Sequence, residues 1–142
     1  MDTRLDVASL AAPIRLQAPW PPREASPNWS GHWRCKHRAL KSYAFAAGLV
    51  LGPQISRQTR PWLQAADPIE VAIAMFPPPA KRGAKARARD HDNALGSCKR
   101  LLDVVARMLG VDDRLFRPRL VIGDPVDGGR VDLVLQPFRV GD

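Results

Sequence analysis

The sequence predicts a mixed α+β domain: a small mixed sheet with two main helices, in the order β-α-β-α-β-β. Two observations carry this expectation. Short apolar, β-branched runs alternate with longer stretches of helical periodicity. Clusters among the 14 prolines fall at the boundaries between them. At 142 residues the chain suits one domain able to bury roughly two thirds of its unfolded surface. Residues 1–13 read as a flexible N-terminal tail and 14–142 as the single domain.

The first strand is expected at Ile14–Ala18, closed by the proline-rich stretch APWPPREASPN (18–28). Trp33 to Leu51 reads as a helix, because Leu40, Tyr43, Ala47 and Val50 recur at three- or four-residue spacing; Gly52-Pro53 is its expected stop. IEVAIAMF (69–76) is a strand bounded by Pro68 and Pro77. A second helix is expected over Ala94–Leu109, with Leu95, Cys98, Leu102, Val105 and Leu109 as its core stripe and Gly110 as its stop. Two further strands, Leu120–Ile122 and Val131–Gln136, flank GDPVDGG, which has the turn chemistry of a hairpin or a wider loop. No internal repeat is visible.

A net charge of +8 and a pI near 10.5 favour a polyanionic partner. Arg34, Lys36, Arg38 and Lys41 crowd the first half of the first helix, where the backbone dipole is already positive, and KRGAKARAR (81–89) adds Lys81, Arg82, Lys85, Arg87 and Arg89. A solvated basic face explains the helix equally well; phosphate binding would explain both segments. No apolar run nears the ~20 residues of a membrane span. The start MDTRLDVASLAAPIRL has neither the basic nor the long apolar region of a leader, so a cytoplasmic protein is expected. Cys35 and Cys98 read as reduced structural thiols, since H-x2-C-x-H (32–37) matches no common zinc spacing. No Ser/His/Asp pattern and no glycine-rich phosphate loop points to another chemistry or to a small-molecule cofactor.

RARDHDN (87–93) sets Asp90 and Asp92 two positions apart behind arginines. In an extended segment alternate residues point the same way, so both carboxylates could converge on one hard cation such as Mg²⁺ or Mn²⁺. Ion pairing with the arginines is the plainer alternative. Asp92, Gly96, Lys99 and Asp103 share one helical face, with Lys99 directed toward the carboxylates and Gly96 leaving room for a ligand. A solvated face with a Lys99–Asp103 ion pair accounts for the same spacing. A helix of about 16 residues is ~24 Å long. Its ends therefore cannot touch, and Asp112 or Asp113 could join the first acids only across a twofold homodimer.

PWPP (19–22), SPNWSGHWRCKHRALKSY (26–43), RARDHDN, KRLLD (99–103) and VDD (111–113) occur in an order that resembles the RusA-like endonucleases, the Holliday-junction resolvases of phages and prophages. The resemblance spans roughly Ile14 to Pro137. It implies a RusA-like fold and a dimeric, Mg²⁺-dependent enzyme that hydrolyses phosphodiesters in four-way DNA junctions, in recombination and repair. By similarity Asp90, Asp92 and Asp113 are the metal-binding acids, with Asp112 beside the third. The family lysine, four residues after the second acid, is replaced by Gly96; Lys99, preserving K-x3-D, is matched to it. His91 stands where the family is often apolar, either as an outward residue or as a metal or phosphate contact. The four tryptophans, Trp20, Trp29, Trp33 and Trp62, offer core anchors or a wedge for the junction. The two competing readings are a non-catalytic nucleic-acid binder that is a degenerate phage relative using the same surface, and an assembly subunit using the basic loop for a partner protein.

Overall fold

The computed structural model describes residues 12–58, 60–80 and 91–138. Their elements are β1 (Ile14–Ala18), α1 (Trp33–Ser56), β2 (Ile69–Phe76), α2 (His91–Ser97), α3 (Lys99–Leu109), β3 (Phe116–Ile122) and β4 (Arg130–Pro137), with three short 3₁₀ turns between them. The mixed α+β class is as expected. The tail proposed for 1–13 lies almost wholly outside the described residues.

The four strands form one sheet in the order β1-β4-β2-β3. β4 runs antiparallel to both β1 and β2, and β3 runs parallel to β2. Strict alternation in the sequence puts one set of apolar side chains on one face. The register lines them up in rows: Ile14, Leu135 and Val71; Leu16, Leu133 and Ile73; Ala18, Val131 and Met75. All nine are buried, and they join Tyr43, Ala47 and Leu51 of α1 and Leu101, Val105 and Leu109 of α3 in one core. The opposite face keeps polar pairs: Arg119–Glu70 at 3.0 Å and Arg130–Asp132 at 2.9 Å.

One alternative is settled and two expectations are corrected. First, of the hairpin or wider loop expected between β3 and β4 the wider loop is formed, because β2 lies between them. Their link is a wide loop crossing the end of β2, held by Gly123 N–H on Met75 C=O (2.8 Å) and Val126 N–H on Pro77 C=O (2.9 Å). Second, α1 does not stop at Gly52-Pro53 but continues to Ser56 with Pro53 inside. Its final turn delivers Gln54 to the open edge of β1, with Gln58 just beyond. Gln54 bonds both the N–H and the C=O of Gln17, and Gln58 does the same for Arg15. Third, the second helix is two helices broken at Cys98, whose backbone is still αR but whose thiol is fully buried 3.6 Å from the sulfur of Met75.

Both sheet edges are thereby blunted against pairing with another chain. Side-chain amides cover β1, while β3 carries exposed Arg117, Pro118 and Arg119. No described helix is long and apolar enough to cross a membrane.

Candidate functional site: an acidic pocket on α3

Gly110 organises this site. Its φ of 73° is the left-handed conformation that ends a helix, and Val111 N–H bonds Ala106 C=O at 3.0 Å, the six-to-one bond of a Schellman turn. The turn sends the chain back alongside α3, so Asp112 and Asp113 return to its flank. They line a cavity of about 320 Å³ with Asp103, Arg100, Arg107, Val104 and Ala106 of α3, Val111, and Ala44 of α1.

Asp103 and Asp113 meet side chain to side chain. The Asp103 carboxyl is held above the usual carboxylate range by partial burial first, then by the hydrogen bond to Asp113 and by its charge; Arg100 and Lys99 pull the other way. Two carboxylates this close repel, which favours a proton or a cation between them. Asp112 has a different environment. Its carboxylate caps Arg114 N–H at 2.9 Å and takes a two-pronged bond from the Arg114 guanidinium, at 3.0 and 2.8 Å. That pairing lowers its pKa to about 2. Asp112 is thus committed to Arg114, leaving Asp113 as the doublet member that faces α3.

The sequence-derived residues distribute unevenly. Asp113 is in the pocket and Lys99 is at the start of α3, close enough to bias Asp103. Asp92 lies in α2 and outside the pocket lining. Asp90, Lys81, Arg82, Lys85, Arg87 and Arg89 lie outside the described residues. Arg34, Arg38 and Lys41 are exposed on the first half of α1, with Lys36 half-buried. Sequence reasoning missed Asp103, Arg100 and Arg107 as neighbours of Asp113. The three fall at three- and four-residue spacing on α3, a face the sequence does reveal. Among the described residues no group of three or more His, Cys, Asp or Glu is placed to hold a metal ion. The Asp103–Asp113 pair nevertheless has the donor chemistry of a hard-cation site, since Mg²⁺ uses one or two protein carboxylates beside waters.

Gly96 has a reason other than ligand access. A Cβ there would run into the Pro27 ring, so the loop before α1 fills the space that a side chain would take. This packing accounts for a glycine at position 96. Gly96→Ala is expected to destabilise the fold by about 1–3 kcal/mol through overpacking. Combining it with Pro27→Gly should return part of the loss in urea denaturation, and additive losses would show that the contact is not the cause.

Neither cysteine is in a disulfide: Cys35 is exposed and Cys98 buried. Burial pushes the Cys98 thiol up to about 12, which disfavours its thiolate. Tyr43, whose hydroxyl donates to Pro19 C=O at 2.7 Å, ties the proline-rich loop to α1; burial, then the nearby Cys98, pushes its ionisation well up.

No family model matches the chain. It is 31% identical over 114 residues to a protein of Xylella fastidiosa (strain Temecula1 / ATCC 700964) described as an uncharacterized protein; the match covers 78% of this chain and 67% of that protein.

Proposed function

The chain belongs to one family with the Xylella fastidiosa protein, and from its own residues we propose that it is a Mg²⁺-dependent, structure-selective endodeoxyribonuclease, acting as a homodimer on four-way DNA junctions in recombination and repair. The observation that carries this reading is the Asp103–Asp113 carboxyl contact, set among Lys99, Arg100 and Arg107. An acidic focus inside a cationic surface is what a metal-assisted phosphodiester hydrolysis requires. The ordered motifs RARDHDN, KRLLD and VDD support it further.

In this reading Asp90, Asp92 and Asp113 hold the metal, and Mn²⁺ can substitute. A bound Mg²⁺ would polarise a phosphoryl oxygen and acidify a bound water. Asp103 would orient Asp113 through their shared hydrogen bond. Lys99 would face the charge that develops on the phosphate. Asp92 lies outside the pocket that Asp113 lines, and α3 alone is about 16 Å long. A twofold partner would bring the two together, giving two equivalent sites for two strands. Arg34, Lys36, Arg38, Lys41 and the basic loop would hold phosphates, so selectivity would come from junction shape rather than sequence. A cytoplasmic location fits the two free thiols.

One observation favours a non-catalytic binder: Pro27 excludes a lysine from position 96. Incubation with a synthetic four-way junction decides between them. Paired cuts with Mg²⁺, abolished by EDTA, are the expected result. Tight binding without cutting under both Mg²⁺ and Mn²⁺ would leave only the binder.

A further inference from the structure

The four tryptophans have different surroundings. Trp20 packs on the core against Gly129, where a Cβ would meet it at 2.8 Å. Trp62 also packs on the core and donates its indole N–H to Ala12 C=O at 3.0 Å. Trp29 folds over Gly31 in its own loop, occupying the space a Cβ there would take. Trp33 is 66% exposed at the first position of α1. Its ring stacks on His32, with centroids 5.9 Å apart and planes 24° off parallel, and the Arg34 guanidinium stands 5.4 Å from its centroid. His32 is itself fixed, because its Nδ1 accepts the Arg34 N–H at 3.1 Å and caps the helix. The indole is therefore oriented by its neighbours while most of its surface faces solvent.

We propose that Trp33 is a stacking platform for an unpaired base of the bound DNA, resting on the DNA-binding reading above. Charge supports this occupant. The first turn of α1 carries no acid, and Arg34, Arg38 and Lys41 stand exposed within its first nine residues. Cations that track phosphate beside an aromatic face that accepts any base are the parts of a single-strand binding surface. Position supports it as well. Trp33 and Ala44 are eleven residues apart, three turns of helix, so they lie on the same side of α1 about 16 Å apart. Ala44 lines the acidic pocket. About 16 Å is close to five base steps of duplex rise. A base freed at a branch point would then reach Trp33 while a phosphate a few nucleotides away reaches the pocket.

The test uses the full chain and a fluorescein-labelled four-way junction with 2-aminopurine at the crossover, in EDTA so that no cutting occurs. Unbranched duplex of the same length is the control. Trp33→Ala is expected to weaken junction binding about 5- to 100-fold, to abolish the 2-aminopurine response and to leave duplex binding unchanged. Trp33→Phe should retain most of the affinity. The slope of log affinity against log salt should match wild type for both variants, because no phosphate contact is lost. Wild-type junction affinity in Trp33→Ala, or an equal loss on duplex, would overturn the platform and leave the DNA reading standing. Failure of the wild type to bind any DNA would overturn both.

Discussion

Asp113→Asn is expected to lower junction cleavage by about two to three orders of magnitude, the share a metal-held carboxylate commonly supports. The same substitution should leave the fold at least as stable at pH 7. The stability half follows from linkage. Asp103 has its pKa raised above the ordinary 3.8 in the folded chain, by partial burial and then by Asp113. A raised folded-state value means that its contribution is fully present below the unfolded value and is lost as pH rises through the folded one. Where both carboxyls are ionised, the wild type carries two like charges in contact. An asparagine in place of Asp113 would remove one of them and offer an amide donor to Asp103. The gain is a few tenths to about 1 kcal/mol for a pair this open to solvent. The decline in stability from about pH 4 upward should flatten accordingly. Asp92→Asn should lose cleavage to a similar extent without the stability gain. Urea denaturation at pH 4 and pH 7, run beside the cleavage assay, separates the roles. An Asp113→Asn protein that cuts normally would remove Asp113 from the proposed metal site. One that both fails to cut and unfolds more readily would make Asp113 a structural residue.

How much of this is legible in the sequence depends on whether the deciding contact is local. β1 and β2 emerge with the expected bounds, because alternation defines a strand and proline closes it at both ends. The sequence reveals β3 only from Leu120, since Phe116–Arg119 reads FRPR, the charges and proline of an edge strand. Before the break at Cys98 the sequence offers only Gly96-Ser97, a weak local signal. The break follows from contacts across the fold, with Pro27 against Gly96 and Met75 against Cys98. The spacing of Asp92, Gly96, Lys99 and Asp103 suggests one continuous face, and the break divides that face between two helices. Asp113 enters by resemblance, whereas its meeting with Asp103 depends on the direction in which the Gly110 turn returns the chain. A helical pattern gives the face on which Asp103 lies but not what comes back to cover it.

The expected stop at Gly52-Pro53 fails for a related reason, and it leads to the largest expected stability effect among these side chains. Proline inside a helix removes one backbone bond and costs on the order of 3 kcal/mol. Something beyond Pro53 must offset that cost. Buried Leu51 and partly buried Ile55 supply some of it. The rest is the pairing of Gln54 and Gln58 with the edge of β1, through four bonds of 2.6–2.8 Å. Gln54 in the last turn and Gln58, two residues past the helix end, thus serve alternate residues of the strand, Gln17 and Arg15. Each bond contributes about 0.5–1.5 kcal/mol net, with exposed groups at the low end because water replaces the partner. The double substitution Gln54→Ala/Gln58→Ala should then cost about 2–4 kcal/mol in urea denaturation. It should also free the Arg15 and Gln17 amides for hydrogen exchange ahead of the β2 and β4 amides. Glutamate at both positions keeps the acceptors but loses the donors, setting carboxylates against the Gln17 and Arg15 carbonyls. That variant should be no more stable than the alanine double mutant at pH 7 and should recover as the carboxyls protonate below about pH 4. Unchanged exchange at Arg15 and Gln17 in the alanine variant would mean that another group covers the β1 edge, and the helix would then owe its continuation past Pro53 to Leu51 and Ile55 alone.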